Sequence, residues 1–540
     1  MARQASMKLF RQTPNVDFRE TTVLWVFLAV AILISLGALA NGAHTYFRVM
    51  DTSDMYFDKV RFLVNFWKDA EGYSWNPNPM RGWPSHAGSI GPQHLLVLLA
   101  TLVSEVYAFI IFRIIIDFMT MSGMFLFAKR ITSANTSISI VAALVYCSSY
   151  YWYDENIVVT AAQLLPLAVV VTAFHEKWPP LPSAFKMLSF FVLLTASYPA
   201  YTLPLMPIAH GVVLLIFISA IDWKKTALYV TVFWLSFLIF HGQTILAVLD
   251  LLSESNRSLW VPMANSAYPD LYSSVVSYFT NDTFIYPAFL MMFFVNKANA
   301  RVIALSLATA LVLLSLACYQ SSIHFVVLAE KFPALNHLNS TLHRCLNFIP
   351  LALATGMILA LKKTKDHQYK LPYMMIIFAV YALFISVTLK PNINRAFEEA
   401  LVIGFIYLLI IKMHAGQIQK FNPVIIGLIG MMVLVPAKYK NTSFREKPQM
   451  GAVYVDNFDF PKGDPYRAVT LMQNHFSPIL FPAQLSIKGV ETFDGFSVFY
   501  DRDDADFWRK NIDIRTNSLL KKYGYHFNNW NNRIEFRYEE

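Results

Sequence analysis

Two carboxylates three residues apart, Asp51 and Asp54, open a charged segment that begins just after the first long apolar run of the chain. Asp58 and Lys59 follow one turn on, then Arg81 and His86 in and just beyond the Pro- and Gly-rich run 76–84. A second concentration of polar side chains, His337, Asn339, His343 and Arg344, lies directly before a late apolar run. The types divide the chemistry. The carboxylates accept, whereas the planar fork of Arg344 donates in pairs and suits an anionic phosphate headgroup. Each group also has a plainer use. Asp near a helix start is favoured as a cap and by the helix dipole, and an Arg at the end of an apolar run can snorkel. Length argues for a site: roughly fifty residues between apolar runs exceeds an ordinary connection, and long loops are functional or disordered. The loop has too many aromatic residues to be disordered.

The elements that must position these groups follow from periodicity. Val60, Leu63, Val64, Phe66 and Trp67 are apolar against Asp58, Lys59, Arg61, Lys68 and Asp69, which predicts an amphipathic helix lying in a membrane surface. The whole chain of 540 residues is 56% hydrophobic and 15% charged, more apolar surface than one water-soluble core can hide. A polytopic membrane protein is expected. The net charge of +9 comes from Lys and Arg in short loops between apolar runs, the positive-inside pattern, so no nucleic-acid partner is inferred. Cys147, Cys318 and Cys345 lie in or beside apolar runs with no CxxC spacing, which gives neither a disulfide framework nor a zinc site.

Apolar runs of spanning length predict about thirteen spans. They cover residues 22–40, 105–128, 137–153, 157–174, 187–200, 204–221, 227–250, 283–296, 302–319, 346–361, 372–389, 399–413 and 423–436. Arg3, Lys8, Arg11 and Arg19 precede the first run, which places the amino terminus in the cytoplasm and the loop 41–93 outside. Asn41-Gly42-Ala43-His44 is a poor cleavage site, so the first run is expected to stay as an anchor. Residues 1–436 then form a transmembrane domain. From 437 charges arrive in quick succession, and 437–540 is expected to be a small α/β domain on the outer side, with strands at 466–471 and 533–538 and a helix at 505–511.

Some ionisable groups fall inside the runs. Arg113 and Asp117 sit four apart on one face of the second run, where they can neutralise each other or where Arg113 can meet a lipid phosphate. His210 and His241 also fall within runs, and an intramembrane His is more often hydrogen-bonded packing than a relay.

An anchor followed by an outer loop with Asp51-Thr52-Ser53-Asp54, many spans and a carboxy-terminal outer domain resembles polytopic glycosyltransferases of the GT-C type. Within that group the chain looks most like bacterial DUF6044 and YfhO-like membrane proteins, through the same DxxD, through Leu342-His343-Arg344-Cys345-Leu346-Asn347-Phe348-Ile349-Pro350 and through Glu491-Thr492-Phe493-Asp494-Gly495-Phe496. The resemblance implies a mainly α fold in the cytoplasmic membrane. It implies transfer of a sugar, with inversion, from a polyprenyl-phosphate donor to a glycan or glycolipid acceptor on the outer face. Asp51 or Asp54 then serves as general base, with Asp54 favoured because Arg48 can hold Asp51 in an i,i+3 pair. Arg344, His343, Lys59 or Arg81 stabilises the departing phosphate, with His337 and His86 in the same polar sets, and a divalent cation (Mg or Mn) can bridge the carboxylates and the phosphate. A transporter or flippase of a lipid-linked sugar, and a non-catalytic envelope assembly protein, are the competing expectations.

Overall fold

The structure is a computed structural model that describes residues 18–41, 60, 63–64, 75–76, 83–84, 94–134, 136–148, 160–172, 183–196, 202, 206–207, 223–254, 300–319, 331, 349–362, 467–468, 471–472, 491–492, 525–528 and 533–536. This part of the chain is helical almost throughout. Its helices are α1 (Phe18–Ile34), α2 (Leu36–Asn41), α3 (His94–Leu102), α4 (Glu105–Leu126), α5 (Thr136–Ser148), α6 (Thr160–Gln163), α7 (Leu165–Thr172), α8 (Ser183–Thr195), α9 (Trp223–Glu254), α10 (Ala300–Tyr319) and α11 (Ile349–Lys362). The strands are two to four residues long: β1 (Trp75–Asn76), β2 (Trp83–Pro84), β3 (Arg467–Ala468), β4 (Leu471–Met472), β5 (Glu491–Thr492), β6 (Tyr525–Asn528) and β7 (Arg533–Phe536).

Helix α4 is the axle. It packs against α1, α3, α5 and α7, and α11 carries the contact network from α5 on to α10. Most of α4 is buried, and its one less covered side is the stripe of Tyr107, Ile111, Ile115 and Phe118, as suits a central helix of the bundle. Gly123 lets α7 approach closely, because a Cβ built there would lie 2.6 Å from the Leu167 Cβ and 2.8 Å from the Leu167 backbone nitrogen. Small residues at helix crossings serve this purpose in tightly packed apolar bundles.

Two local irregularities on the axle and its neighbour have sequence causes. Pro166 has no N–H to give to the Ala162 carbonyl four residues back, and the helix there divides into α6 and α7. The Tyr146 hydroxyl donates to that carbonyl at 2.8 Å and so satisfies it from α5. At its far end α4 runs into a π-turn, Phe127–Ile131, closed by the Thr132 amide on the Phe127 carbonyl at 3.4 Å and by the Ala134 amide on the Ala128 carbonyl at 3.0 Å. The second bond runs from residue i+6 to residue i, one residue wider than a Schellman closure as befits a π-turn, and the left-handed residue before its donor is Ser133 at φ 54°.

Among the described residues two helices are long and apolar enough to cross a membrane, Glu105–Ile131 and Lys224–Leu246. Shorter apolar helices cover parts of the expected spans at 22–40, 137–153, 187–200, 302–319 and 346–361. The expected spans 204–221, 283–296, 372–389, 399–413 and 423–436 lie outside the described residues, apart from Met206 and Pro207. Helix α3 was not anticipated: its nine residues are too few to span, and they sit between the long loop and the Ser104 that precedes α4. The first expected span is two helices, α1 and α2, interrupted at Ser35, whose amide bonds to the Ile32 carbonyl at 3.0 Å, a short 3₁₀-like step.

In the tail, β3 pairs in parallel with β5, β4 in parallel with β7, and β6 antiparallel with β7. The expected strand at 466–471 is thus divided between two sheets, and the expected helix at 505–511 lies outside the described residues.

Candidate functional site

Asp51, Asp54, Lys59, Arg81, His86, His337, His343 and Arg344 all lie outside the described residues. What is described is the framework next to them. Val60, Leu63 and Val64 are helical; Val60 and Val64 belong to the buried core, and Leu63 packs against it. The part of the expected apolar face that these three residues make is therefore turned into the helix bundle. Further along the loop, β1 and β2 pair antiparallel, Trp75 opposite Pro84 and Asn76 opposite Trp83, which brings the two ends of segment 77–82 together. Among the described residues no group of three or more His, Cys, Asp or Glu comes together as a metal site, and Asp51 and Asp54 fall outside that set.

Within the bundle the structure builds one polar centre on α4 and α6. Arg113 is 2% exposed and Asp117 is fully buried, and the Arg113 Nη2 lies 3.5 Å from the Asp117 Oδ1. Arg113 Nη1 donates to the Gln163 Oε1 at 3.2 Å, fifty residues along the chain. Gln163 commits its oxygen to this bond, so its Nε2 is left inward with no hydrogen-bond partner, as is the hydroxyl of Thr160 one turn earlier on the same helix. Ser122, on α4, also buries its hydroxyl without a partner. An unsatisfied buried donor costs about 1–3 kcal/mol, so this is an expensive way to fill a core. The i,i+4 spacing announced the Arg113–Asp117 pair; nothing local to Gln163 or Thr160 announced theirs.

A second polar group lies at the other end of α4. Arg130 in the π-turn donates to Glu20 of α1 at 2.5 Å, Lys129 lies 3.9 Å from the same carboxylate, and Lys129 Nζ also donates to the Thr136 hydroxyl at 2.6 Å. The helical rise separates Arg113 from Arg130 by about 25 Å along the axis, against about 30 Å for the hydrocarbon layer of a bilayer. Arg130 thus sits at one end of the helix Glu105–Ile131, whereas Asp117 lies near its middle and Arg113 one turn beyond toward the other end.

His241 takes the packing role expected of it. Its Nε2 lies 2.8 Å from the Leu194 carbonyl, one of the orphan acceptors in the last turn of α8. His210 lies outside the described residues.

Comparison with protein-family models, with curated proteins and with solved structures gives no match to this chain.

Proposed function

We propose that this chain is a polytopic membrane glycosyltransferase of GT-C type, which moves a sugar from a polyprenyl-phosphate donor to a glycan or glycolipid acceptor at the outer face of the cytoplasmic membrane. The observation that carries the reading is the buried Arg113–Asp117–Gln163 centre on a helix of spanning length. Ionisable groups at such depth are expensive and mark polar ligands or their pathways. With Lys129 and Arg130 on the cytoplasmic side, as the positive-inside rule requires, Arg113 lies about 25 Å up a layer of about 30 Å. Asp117 lies about 20 Å up on the same measure, so the centre runs from the outer half of the layer toward the outer headgroups. A transporter's substrate site belongs near the midplane, and the dense polar sets expected in the loops around Asp51–Asp54 and His337–Arg344 favour transferase over flippase. The bilayer reading is supported further by α9, where Leu228, Val232, Leu235, Ile239 and Leu246 form a stripe of exposed apolar side chains and Ile239 is 84% exposed.

In this mechanism Asp54 accepts the proton of the acceptor hydroxyl as its oxygen bonds to the anomeric carbon. The bond from that carbon to the phosphate oxygen breaks through an oxocarbenium-like state, and the lipid phosphate leaves with the electron pair. Arg344 and His343 stabilise the charge it acquires, with Lys59 and Arg81 on the loop side. Asp51 orients the loop or holds a divalent cation.

The test is sugar transfer from a polyprenyl-phosphate donor by Asp54→Asn and Asp51→Asn in parallel. Loss of a general base lowers turnover by roughly a hundred- to ten-thousandfold and leaves substrate binding largely intact. Near-normal turnover in Asp54→Asn removes that residue from the role, and near-normal turnover in both variants overturns the enzyme reading of the loop.

A further inference from the structure

We propose that His94 is an acid-sensitive latch between α3 and α9, which holds the start of α3 on the bundle while its ring is neutral and lets it go when the ring takes a proton. The His94 ring stands nearly perpendicular to that of Phe240 at 4.6 Å, and its centroid lies 5.5 Å from that of His241 with the planes at 41°. Phe237, one turn back on α9, lies 4.6 Å from His241 and completes the slot. His94 is the first residue of α3 and follows directly on the loop 41–93. Whatever holds this ring therefore holds the end of that loop.

The slot suits a neutral imidazole and not a charged one. The His94 Nε2 is buried with no hydrogen-bond partner, and so is the His241 Nδ1. The two nitrogens do not bond each other, and His241 is held from its other side, where its Nε2 lies 2.8 Å from the Leu194 carbonyl. A proton on His94 puts a full charge into this slot whichever nitrogen receives it, and no acidic side chain is placed to balance it. On α4, Arg113 and Asp117 meet each other, while Glu105 and Tyr107 stand at the opposite end of α3, about 12 Å along the axis. On α8 the ionisable side chain is Lys186, eight residues before Leu194. On α9, Lys224, Lys225 and Tyr229 lie at the far end, and Asp250 lies nine residues beyond His241. The ionisable group that acts on His94 is His241.

Burial, and then the His241 ring, hold the His94 imidazole down at about 4, against 6.5 when free. A ring that is harder to protonate in place than in water favours release as acid is added. The latch is at full strength above about pH 6.5, weakens between about 6.5 and 4, and has nothing more to lose below that. Between about pH 7 and pH 5 the equilibrium for release rises about 20-fold. With Lys224 and Lys225 in the cytoplasm, as the positive-inside rule requires, His241 lies about 25 Å up α9, at its outer end. Acid outside the cell is then the signal; that orientation rests on the function proposed above, whereas the latch does not.

The experiment follows amide hydrogen exchange at residues 98–102 in the full chain purified in detergent, at about pH 7 and pH 5, with each rate divided by the intrinsic rate at that pH and α10 as internal reference. The expected result is about 20-fold faster relative exchange in α3 at the lower pH, none in α10, and loss of the rise in His94→Phe, which keeps a ring against Phe240 and cannot take a proton. If His94→Phe fails to fold, His94→Gln, which does not titrate either, makes the same comparison. An unchanged rate in the parent chain, a rise kept in the variant, or an equal rise in α10 overturns the proposal. Slower exchange in acid means that His94 and His241 share the proton, and overturns it too. The assay reads no sugar transfer, so its failure leaves the transferase reading where it was.

Discussion

Asp117→Asn removes one charge of a buried pair and keeps its shape, so it tests whether Arg113 is held by Asp117 in particular. The guanidinium is 2% exposed and meets the carboxylate at 3.5 Å. At the effective dielectric of about 20 that suits protein pKa data, two unit charges at that separation attract by about 5 kcal/mol. Much of this offsets the desolvation of the two groups, which is why deleting one partner of a buried pair costs about 3–5 kcal/mol while replacing both with apolar residues is often neutral. The expected order is therefore non-intuitive: Asp117→Asn is more damaging than the double variant Arg113→Leu/Asp117→Leu. Helical ellipticity followed through a denaturant titration of detergent-purified protein reads the difference. Asp117→Asn within about 0.5 kcal/mol of the parent chain, a change typical of ordinary surface sites, would refute the assignment and show that other groups balance Arg113. The double variant has a second use. If it is stable and still transfers sugar normally, the polar centre plays no part in catalysis.

Three further outcomes test the packing around the axle. Gly123→Ala puts a methyl into the Leu167 backbone and is expected to destabilise by about 1–3 kcal/mol, measured in the same titration; no loss means that α4 and α7 do not cross there. Tyr146→Phe leaves the Ala162 carbonyl without the donor from α5 and should lose about 1–3 kcal/mol, with faster amide exchange around Pro166. Ser133→Gly relieves the left-handed residue at φ 54° and is expected to raise stability by about 1 kcal/mol, whereas a fall in the denaturation midpoint would exclude a left-handed residue at this helix end.

How much of this was legible varied with the range of the interaction. Long apolar runs gave α4, α9 and α10 closely, since hydrophobic length alone decides them. The pair Arg113–Asp117 was visible because both members sit on one helix at i and i+4. Gln163 was not, because its partnership depends on α6 crossing α4 fifty residues later. Helix α3 escaped notice for the opposite reason: nine residues, seven of them apolar, fall below the spanning length that organised the reading, although they pack firmly on α4. His94, at its first position, fell between the loop 41–93 and the run from 105 and was never weighed beside His241, which lies nearly a hundred and fifty residues away. The proposed transferase groups lie on segments flanking the described core, where short motifs carry the argument without packing to check them.

The bond between Glu20 and Arg130 joins residues 110 apart in the chain, and that interval is also a delay. At translation rates of about 5–20 residues per second, Glu20 leaves the ribosome roughly 5–20 s before its partner exists. Throughout that time the carboxylate at the head of α1 has only water to solvate it. The contact that ties the head of α1 to the bundle can therefore form only once α4 and its π-turn have been made. The π-turn is thus the last piece of this clasp to be made, and both of its basic residues close on the one carboxylate.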